Sequence, residues 1–559
     1  MRLKFVFIFI LFFQITQAQT TIKPQLYFDR GAVVSTHPLA SKVGKDILQI
    51  GGNAIDAAIA VNFALAVVHP AAGNIGGGGF LVYRNNQGEV YSLDYREKAP
   101  LNSYRDMYLD SNGNILNSLS SVGPLSTGVP GTVKGMQEMH QRFGSLPWES
   151  LIQPAVDLAL KGVILTEKEA NGLNSQRDLF IQNNGNNSYL TKKEPFFEGE
   201  LLIQVDLGKT LKRIAKFGAN EFYYGKTAKR LVKSLRNNGG IIQLNDLHKY
   251  QAIWRSPIKI NYKNYQIIGM PPPSSGGIAL AQLIKIMEPF PLSKWGVNAD
   301  STIQLMIEAE RRVFADRAKW LGDPDFFKVP QTELLSDSYI QSRMRDFEFD
   351  RAGNSEKISA GEIPHESPET THFSIIDSFG NAVSITTTLN NSYGSKVFIK
   401  KGGFLMNDEM DDFSIKPGVP NLYGLVGSKA NEIQPEKRML SSMTPTIIEK
   451  NGQLFASIGT PGGSTIITSV FQVLLNLIEF NMTMQEAVEF PRFHHQWLPD
   501  NVRYEEQRFD PIIYNSLQNK GYKLVKTKSI GLFEGIRVLP NKKLETGADH
   551  RGDDTADGF

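Results

Sequence analysis

The sequence predicts an α+β layered fold. One observation carries that expectation. Strand-like and helix-like segments are mixed on both sides of a polar, breaker-rich stretch at 352–369, and neither side reads as purely helical or purely strand. The 559 residues are worth three to four average domains or one large layered domain. With 41% apolar and 21% charged residues the chain supports a packed core and is not a disordered polymer. A count of 49 glycines predicts many tight turns and close backbone approaches.

Taken in order, the first element is a targeting segment. Arg2 and Lys4 precede the apolar run Phe5 to Phe13, and Thr16-Gln17-Ala18 supplies small residues where a signal peptidase reads, so cleavage is expected after Ala18. The run is short for a bilayer span, and an uncleaved anchor is the competing reading. The expected compartment is exported, periplasmic or secreted. Leu39 to His69 reads as two helices, the first ended by Gly51-Gly52 and the second alanine-rich and suited to close packing. Strands are expected at Phe80–Tyr83 and Val90–Leu93, joined by a turn at Asn85 to Gly88. The Asn-rich stretch Thr166 to Glu200 reads as surface excursions, and Thr302 to Trp320 as a charged amphipathic helix. Gly353, Gly361, Pro364 and Pro368 mark Ala352 to Glu369 as an exposed linker. Beyond it lie strands Thr371–Ile376, Ala382–Thr387 and Leu454–Ile458, then the turn Gly459-Thr460-Pro461-Gly462-Gly463 and a helix from about Ser464 to Phe480.

Composition excludes several classes. Sixty Lys+Arg against 57 Asp+Glu leave a net charge of +3, too small a basic surplus for a nucleic-acid binder. The absence of cysteine removes disulfides, thiolate catalysis, Fe–S clusters and cysteine zinc sites together. Gly76 to Gly79 is not followed by Gly-Lys-Ser/Thr, which argues against nucleotide binding. His494-His495 has no accompanying third ligand, so no metal and no cofactor is assigned.

The strands after the linker can be put in register. If Ser378, Phe379 and Gly380 form a three-residue loop with Gly380 left-handed, Asp377 faces Asn381 and Thr370 faces Thr388. On spacing alone this is a cross-strand contact between two threonines.

Thr370-Thr371-His372-Phe373-Ser374, preceded by the linker, resembles the processing site of the gamma-glutamyltransferase (glutathione hydrolase) family. Asp94-Tyr95-Arg96-Glu97-Lys98-Ala99-Pro100 is similar to that family's arginine segment. Asn74 to Phe80, Asn407 to Ser414, Lys416 to Gly427, Leu440 to Pro445 and Gly459 to Ser464 match in the same order. The resemblance covers nearly the whole chain beyond the targeting segment.

It implies an N-terminal nucleophile hydrolase, a four-layer αββα sandwich, and a precursor that cuts itself before Thr370. The expected products are a signal peptide of 1–18, a large chain of 19–369 and a small catalytic chain of 370–559 that stay together as one domain. A threonine hydroxyl is a poor nucleophile at neutral pH, and the free α-amino group made by the cut can serve as its base. By the same resemblance Thr388 orients that hydroxyl, and Gly462 and Gly463 donate backbone N–H groups to the oxyanion. Arg96, Ser441 and Ser442 take the donor's carboxylate, Glu409 and Asp412 its ammonium, and Asn390 lines the site. Asp408 stands where some members carry a second asparagine, which puts an extra carboxylate near the ammonium position. Pro417 to Gly427, with Tyr423, resembles a lid loop present in some members. Arg551-Gly552-Asp553 reads as part of the family's C-terminal segment rather than as an adhesion tripeptide.

The implied activity is gamma-glutamyl hydrolysis and transfer on glutathione and related donors, with water, an amino acid or a peptide as acceptor. A cephalosporin or glutaryl acylase on the same fold is the nearest alternative, and a processed but inactive binding protein the more distant one.

Overall fold

A computed structural model of the chain describes residues 23–116, 118–186, 188–358, 369–416, 428–506 and 508–559. The expectations for the leader, for residues 359–368 of the linker and for the lid with Tyr423 therefore lie outside the described residues.

Two seven-stranded sheets are stacked face to face between helices. One runs in the order Thr555–Gly558, Ala32–Ser35, Glu369–Ile376, Ala382–Asn390, Gly78–Arg84, Val90–Asp94, Ile253–Arg255. The other runs Leu26–Phe28, Leu544–Ala548, Glu534–Val538, Gln453–Gly459, Thr446–Lys450, Tyr265–Gly269, Ile258–Tyr262. Helix Ala54–Val68 covers the first sheet, and helices Gly276–Met287 and Thr465–Ile478 cover the second. The outcome is the αββα sandwich. Both large apolar clusters draw residues from before and after Thr370, so the segments on the two sides of that residue are packed together in both.

Helix Ala54–Val68 forms because its sequence supplies both a start signal and an apolar surface all round. The Asn53 side chain accepts from the Ile55 and Asp56 N–H groups at 2.9 and 3.0 Å, and the Asp56 carboxylate accepts from Asn53 N–H at 3.0 Å. Every residue of the helix is buried, as its alanine content predicts. The Asp377 carboxylate also accepts from Ala54 N–H at 2.8 Å. A carboxylate at a helix N-terminus is favoured by the helix dipole, and this one pins the closed end of the threonine hairpin.

That hairpin has the predicted register. Ile376 pairs with Ala382 and Thr370 with Thr388, and Gly380 adopts φ +89° in the loop. One feature was not expected. Glu369 pairs with Asn390 while Thr370 pairs with Thr388, so the ladder bulges at the Glu369–Thr370 bond. Asn390, on the bulged side, has φ +74°.

Three readings are revised. Thr166 to Glu200 contains helices Glu167–Ser175 and Arg177–Asn184, seated by the buried residues Leu173, Phe180 and Leu190. Sparse apolar residues in an Asn-rich sequence concealed them. Helix Asp300–Trp320 is buried along most of its length instead of showing a charged face to water. Its Glu308 pairs with Arg311 at 3.2 Å and Arg312 at 2.5 Å inside the core, and also accepts from Gly353 N–H at 3.0 Å. The start of the linker is anchored rather than exposed. Ser355 and Ile358 are buried, and the Trp497 indole donates to both of their carbonyls at 2.8 and 3.0 Å.

Candidate active site

Thr370 occupies the open end of the central hairpin, next to the bulge. The residue is half-buried, but its hydroxyl oxygen is covered and has no hydrogen-bond partner among the described residues. Most buried hydroxyls are satisfied, and among the described residues Thr370 shares its unpartnered state with Tyr95, Ser414, Ser442 and Ser469. Thr388 faces it across the ladder, yet the two hydroxyls are not bonded to each other. The Thr388 oxygen instead accepts from Asn390 N–H at 2.7 Å, and its hydroxyl also helps stabilise the ionised form of Glu409. Thr388 thus stands between Thr370 and the charged cluster behind it.

Arg96 is the centre of that cluster. It is fully buried, and its guanidinium pairs with Glu409 at 2.6 Å and with Asp412. Glu97 lies 3.6 Å away on the same guanidinium and has no hydrogen-bond partner among the described residues. Arg96 also donates to the carbonyls of Met439 and Leu440, which places Ser441 and Ser442 beside it. The Ser441 oxygen accepts from Met443 N–H at 3.1 Å, while the Ser442 hydroxyl is buried without a partner among the described residues. Asn390 donates its amide to the Asp408 carbonyl at 3.1 Å.

The electrostatics follow from one cation facing three carboxyl groups in a dry site. Burial drives the Glu97 carboxyl up to about 8, with Arg96 opposing the rise. Burial likewise holds Glu409 well above the ordinary carboxylate range, again against the pull of Arg96. The cluster is short of positive charge, and an incoming ammonium would supply it. An incoming carboxylate would in turn compete with Glu409 and Asp412 for Arg96.

Asp408 does not point its carboxylate at this cluster. Its two oxygens accept from the Asn391 backbone N–H at 2.9 Å and from the Asn391 side-chain amide. Burial raises this carboxyl to about 7, with Lys396 acting in the opposite direction.

On its other side Thr370 lines a cavity of about 570 Å³ that it shares with Gly462. Gly462 and Gly463 have φ +135° and +57°, and a Cβ on Gly462 would sit 2.5 Å from the Thr465 hydroxyl. Gly462 requires glycine, and Gly463 takes the left-handed conformation that glycine adopts at no steric cost. They lead directly into helix Thr465–Ile478, whose N-terminal end favours negative charge.

Sequence reasoning missed the cavity's other walls, which include Thr36, His69, Glu169, Tyr393 and Arg503. No local spacing announces them, because they come from distant parts of the chain. Glu97 was within a segment already singled out, and its neighbour Arg96 was the available signal. The remaining candidates are structural. His494 contacts Thr468 at 2.9 Å and Gln496 at 2.9 Å, whereas His495 contacts Asp500 at 3.2 Å. Arg551 is held by Glu505 and Asp549 at 2.6 and 3.0 Å.

Comparison with known proteins shows the family. The family model described as gamma-glutamyltranspeptidase matches residues 40–559. The chain belongs to the gamma-glutamyltranspeptidase family. It is 43% identical to the glutathione hydrolase proenzyme of Escherichia coli strain K12, over 95% of this chain and 92% of that one. It is 45% identical to the glutathione hydrolase proenzyme of Pseudomonas aeruginosa, covering 94% of each. Among solved structures, a cephalosporin acylase from Bacillus halodurans superposes with a TM-score of 0.86 at 25% identity, covering 98% of this chain and 99% of that chain.

Proposed function

We propose that the chain is a proenzyme of a gamma-glutamyl hydrolase and transferase that acts on glutathione and other gamma-glutamyl compounds after cutting itself before Thr370. The observation that carries this reading is the position of Thr370. Its unpartnered hydroxyl lies on a bulged ladder, between a cavity containing Gly462 and a buried cluster of one arginine and several carboxyls. The names of the family relatives, glutathione hydrolase proenzymes, support the same substrate and the same two-chain product.

The chemistry balances in two stages. In processing, the Thr370 hydroxyl adds to the Glu369 carbonyl carbon. The C–N bond breaks, the hydroxyl proton ends on the freed nitrogen, and water then hydrolyses the ester to release Glu369 as a carboxylate. The products are the large chain of 19–369 and the small chain of 370–559. In turnover, the new α-amino group accepts the hydroxyl proton as Thr370 attacks the γ-carbonyl carbon, and that proton passes to the departing amine. Gly462 and Gly463 supply N–H donors to the tetrahedral oxyanion. Water or an acceptor amine then cleaves the gamma-glutamyl ester and returns a proton to the hydroxyl.

The donor's amino-acid end enters the Arg96 cluster. Its carboxylate takes Arg96, with Ser441 and the unpartnered Ser442 hydroxyl beside it, and its ammonium takes Glu409 and Asp412, with Asn390 at the border. This exchange keeps every buried charge paired. Tyr423 and its loop are proposed as the lid. The chain is further proposed to be exported after cleavage behind Ala18, and no described helix is long and apolar enough to cross a membrane.

Intact mass of the purified protein tests both cuts, since chains beginning at Gln19 and Thr370 are expected. A chromogenic gamma-glutamyl anilide tests the activity. Release from a glutaryl anilide with none from the gamma-glutamyl one would replace this reading with an acylase.

A further inference from the structure

The Arg96 cluster accounts for the donor's amino-acid end, but nothing so far accounts for the molecule on the other side of Thr370. That side is the cavity, and its charges are not balanced. Arg503, Arg551, Lys168 and Lys528 line it, with Glu169 and Asp553 as the carboxylates, and Arg551 is already held by Glu505 and Asp549. Glu169 is already committed. It accepts from Thr166 N–H at 2.8 Å as part of a helix cap and lies 3.3 Å from the His37 ring. Asp553 accepts from the Thr166 hydroxyl at 3.2 Å.

Arg503 stands out. It sits on strand Val502–Glu505, and the alternation along that strand puts it on the same face as Glu505. Glu505 shares that face, but both Glu505 oxygens are used. Arg551 donates to them at 2.7 and 2.6 Å, Ile530 N–H at 2.8 Å and Arg492 N–H at 3.0 Å. Among the described residues Arg503 has no ion pair, and burial alone moves its pKa, downward. Desolvating a guanidinium without a counter-ion is unfavourable. Placing one in the wall of a cavity that also contains the nucleophile is a means of binding an anion there. The fork of a guanidinium suits a carboxylate.

Resting on the reading above, we propose that Arg503 binds the free carboxylate of the leaving peptide and of the peptide acceptor that replaces it. The ligand class is an α-amino acid or short peptide with an unblocked C-terminus. Its amine end reaches the gamma-glutamyl ester on Thr370, and its carboxylate end reaches Arg503. The donor's two ends are thus sorted by separate arginines, Arg96 in the dry cluster and Arg503 in the open cavity.

The test uses the processed two-chain protein with a gamma-glutamyl anilide as donor and two acceptors, glycylglycine and glycylglycinamide. In the wild type, acceptor kcat/KM is expected to be about tenfold higher for glycylglycine, the scale of one charge-assisted hydrogen-bonded contact. Arg503→Gln is expected to bring the ratio close to one by weakening glycylglycine, and Arg503→Lys to retain part of the preference. A wild-type ratio near one, or an Arg503→Gln ratio equal to the wild-type one, overturns the proposal. If Arg503→Gln does not fold, the wild-type ratio and Arg503→Lys still decide. Failure of the wild type to release anilide would instead overturn the gamma-glutamyl reading itself.

Discussion

The two sides of Thr370 solve opposite electrostatic problems. Behind it, Arg96 is fully buried and internally paired with Glu409 and Asp412. Ahead of it, Arg503 borders a cavity of about 570 Å³ and has no ion pair among the described residues. A paired, desolvated cluster is selective, because a ligand must replace each charge contact that it breaks. An unpaired cation in an open cavity tolerates varied ligands, because any carboxylate improves its situation. The contrast suits a donor whose head is invariant and a leaving or accepting partner that varies.

The sharpest break in this comparison is at the boundary itself. Thr370→Ala is expected to remain one uncut chain and to lose turnover by about four orders of magnitude or more, because one hydroxyl serves both reactions. Denaturing electrophoresis reads the first and anilide release the second. Two chains in that variant would take Thr370 out of the mechanism.

Next in size is Arg96→Ala, which attacks the paired side. It leaves Glu409 and Asp412 buried without their cation, so a stability loss of about 3–5 kcal/mol is expected in denaturant titration. Donor kcat/KM should fall about a hundredfold or more, mostly through KM. An unchanged donor KM would remove Arg96 from the carboxylate role.

Thr388 sharpens the link between the sides. Thr388→Ser keeps the hydroxyl that accepts from Asn390 N–H and should process and turn over. Thr388→Ala should lower kcat about tenfold with a smaller change in donor KM, as for an interaction used mainly in the transition state. Wild-type kcat and processing in Thr388→Ala would leave the residue a purely structural strand position.

The paired side was far more legible in the sequence than the open side, for a physical reason. Strand alternation and a left-handed Gly380 fix the hairpin register, so Thr370 and Thr388 can be set opposite each other from local rules alone. Arg96, Glu409 and Ser441 sit in contiguous segments whose order matches a family. The cavity has no such signature. His69 caps a helix, Glu169 caps another, and Arg503 is one polar residue in an ordinary strand. Only the stacking of two sheets and the docking of the small sheet around Val502–Glu505 bring them together. The bulge at Glu369–Thr370 was hidden as well, since a bulge depends on which partner residue is skipped rather than on the strand's own pattern.

The smallest expected effect tests how far the paired side extends. Asp408 lies near enough to Glu409 to oppose its ionisation, and its own carboxylate oxygens accept from Asn391. Its folded-state pKa is raised to about 7 from an ordinary value of 3.8. Between those values the native state holds a proton that the unfolded state has released. Stability therefore falls as pH rises through that interval, and levels off once the folded group has also ionised. Asp408→Asn is nearly isosteric, keeps an acceptor for Asn391 N–H and has no proton to lose, with the Asn391 amide turned to offer its oxygen. The variant should match the wild type near pH 4 and become progressively more stable above it. The gain should plateau above pH 7 at a few kcal/mol, bounded by about 1.4 kcal/mol for each pH interval of one between the unfolded and folded values. Melting temperatures at pH 4.5 and pH 8 measure it. Donor KM at pH 8 should change less than twofold, because the carboxylate faces Asn391 and not the cluster. A larger KM change would return Asp408 to the ammonium subsite, and a pH-independent difference in melting temperature would mean that its proton is not linked to folding.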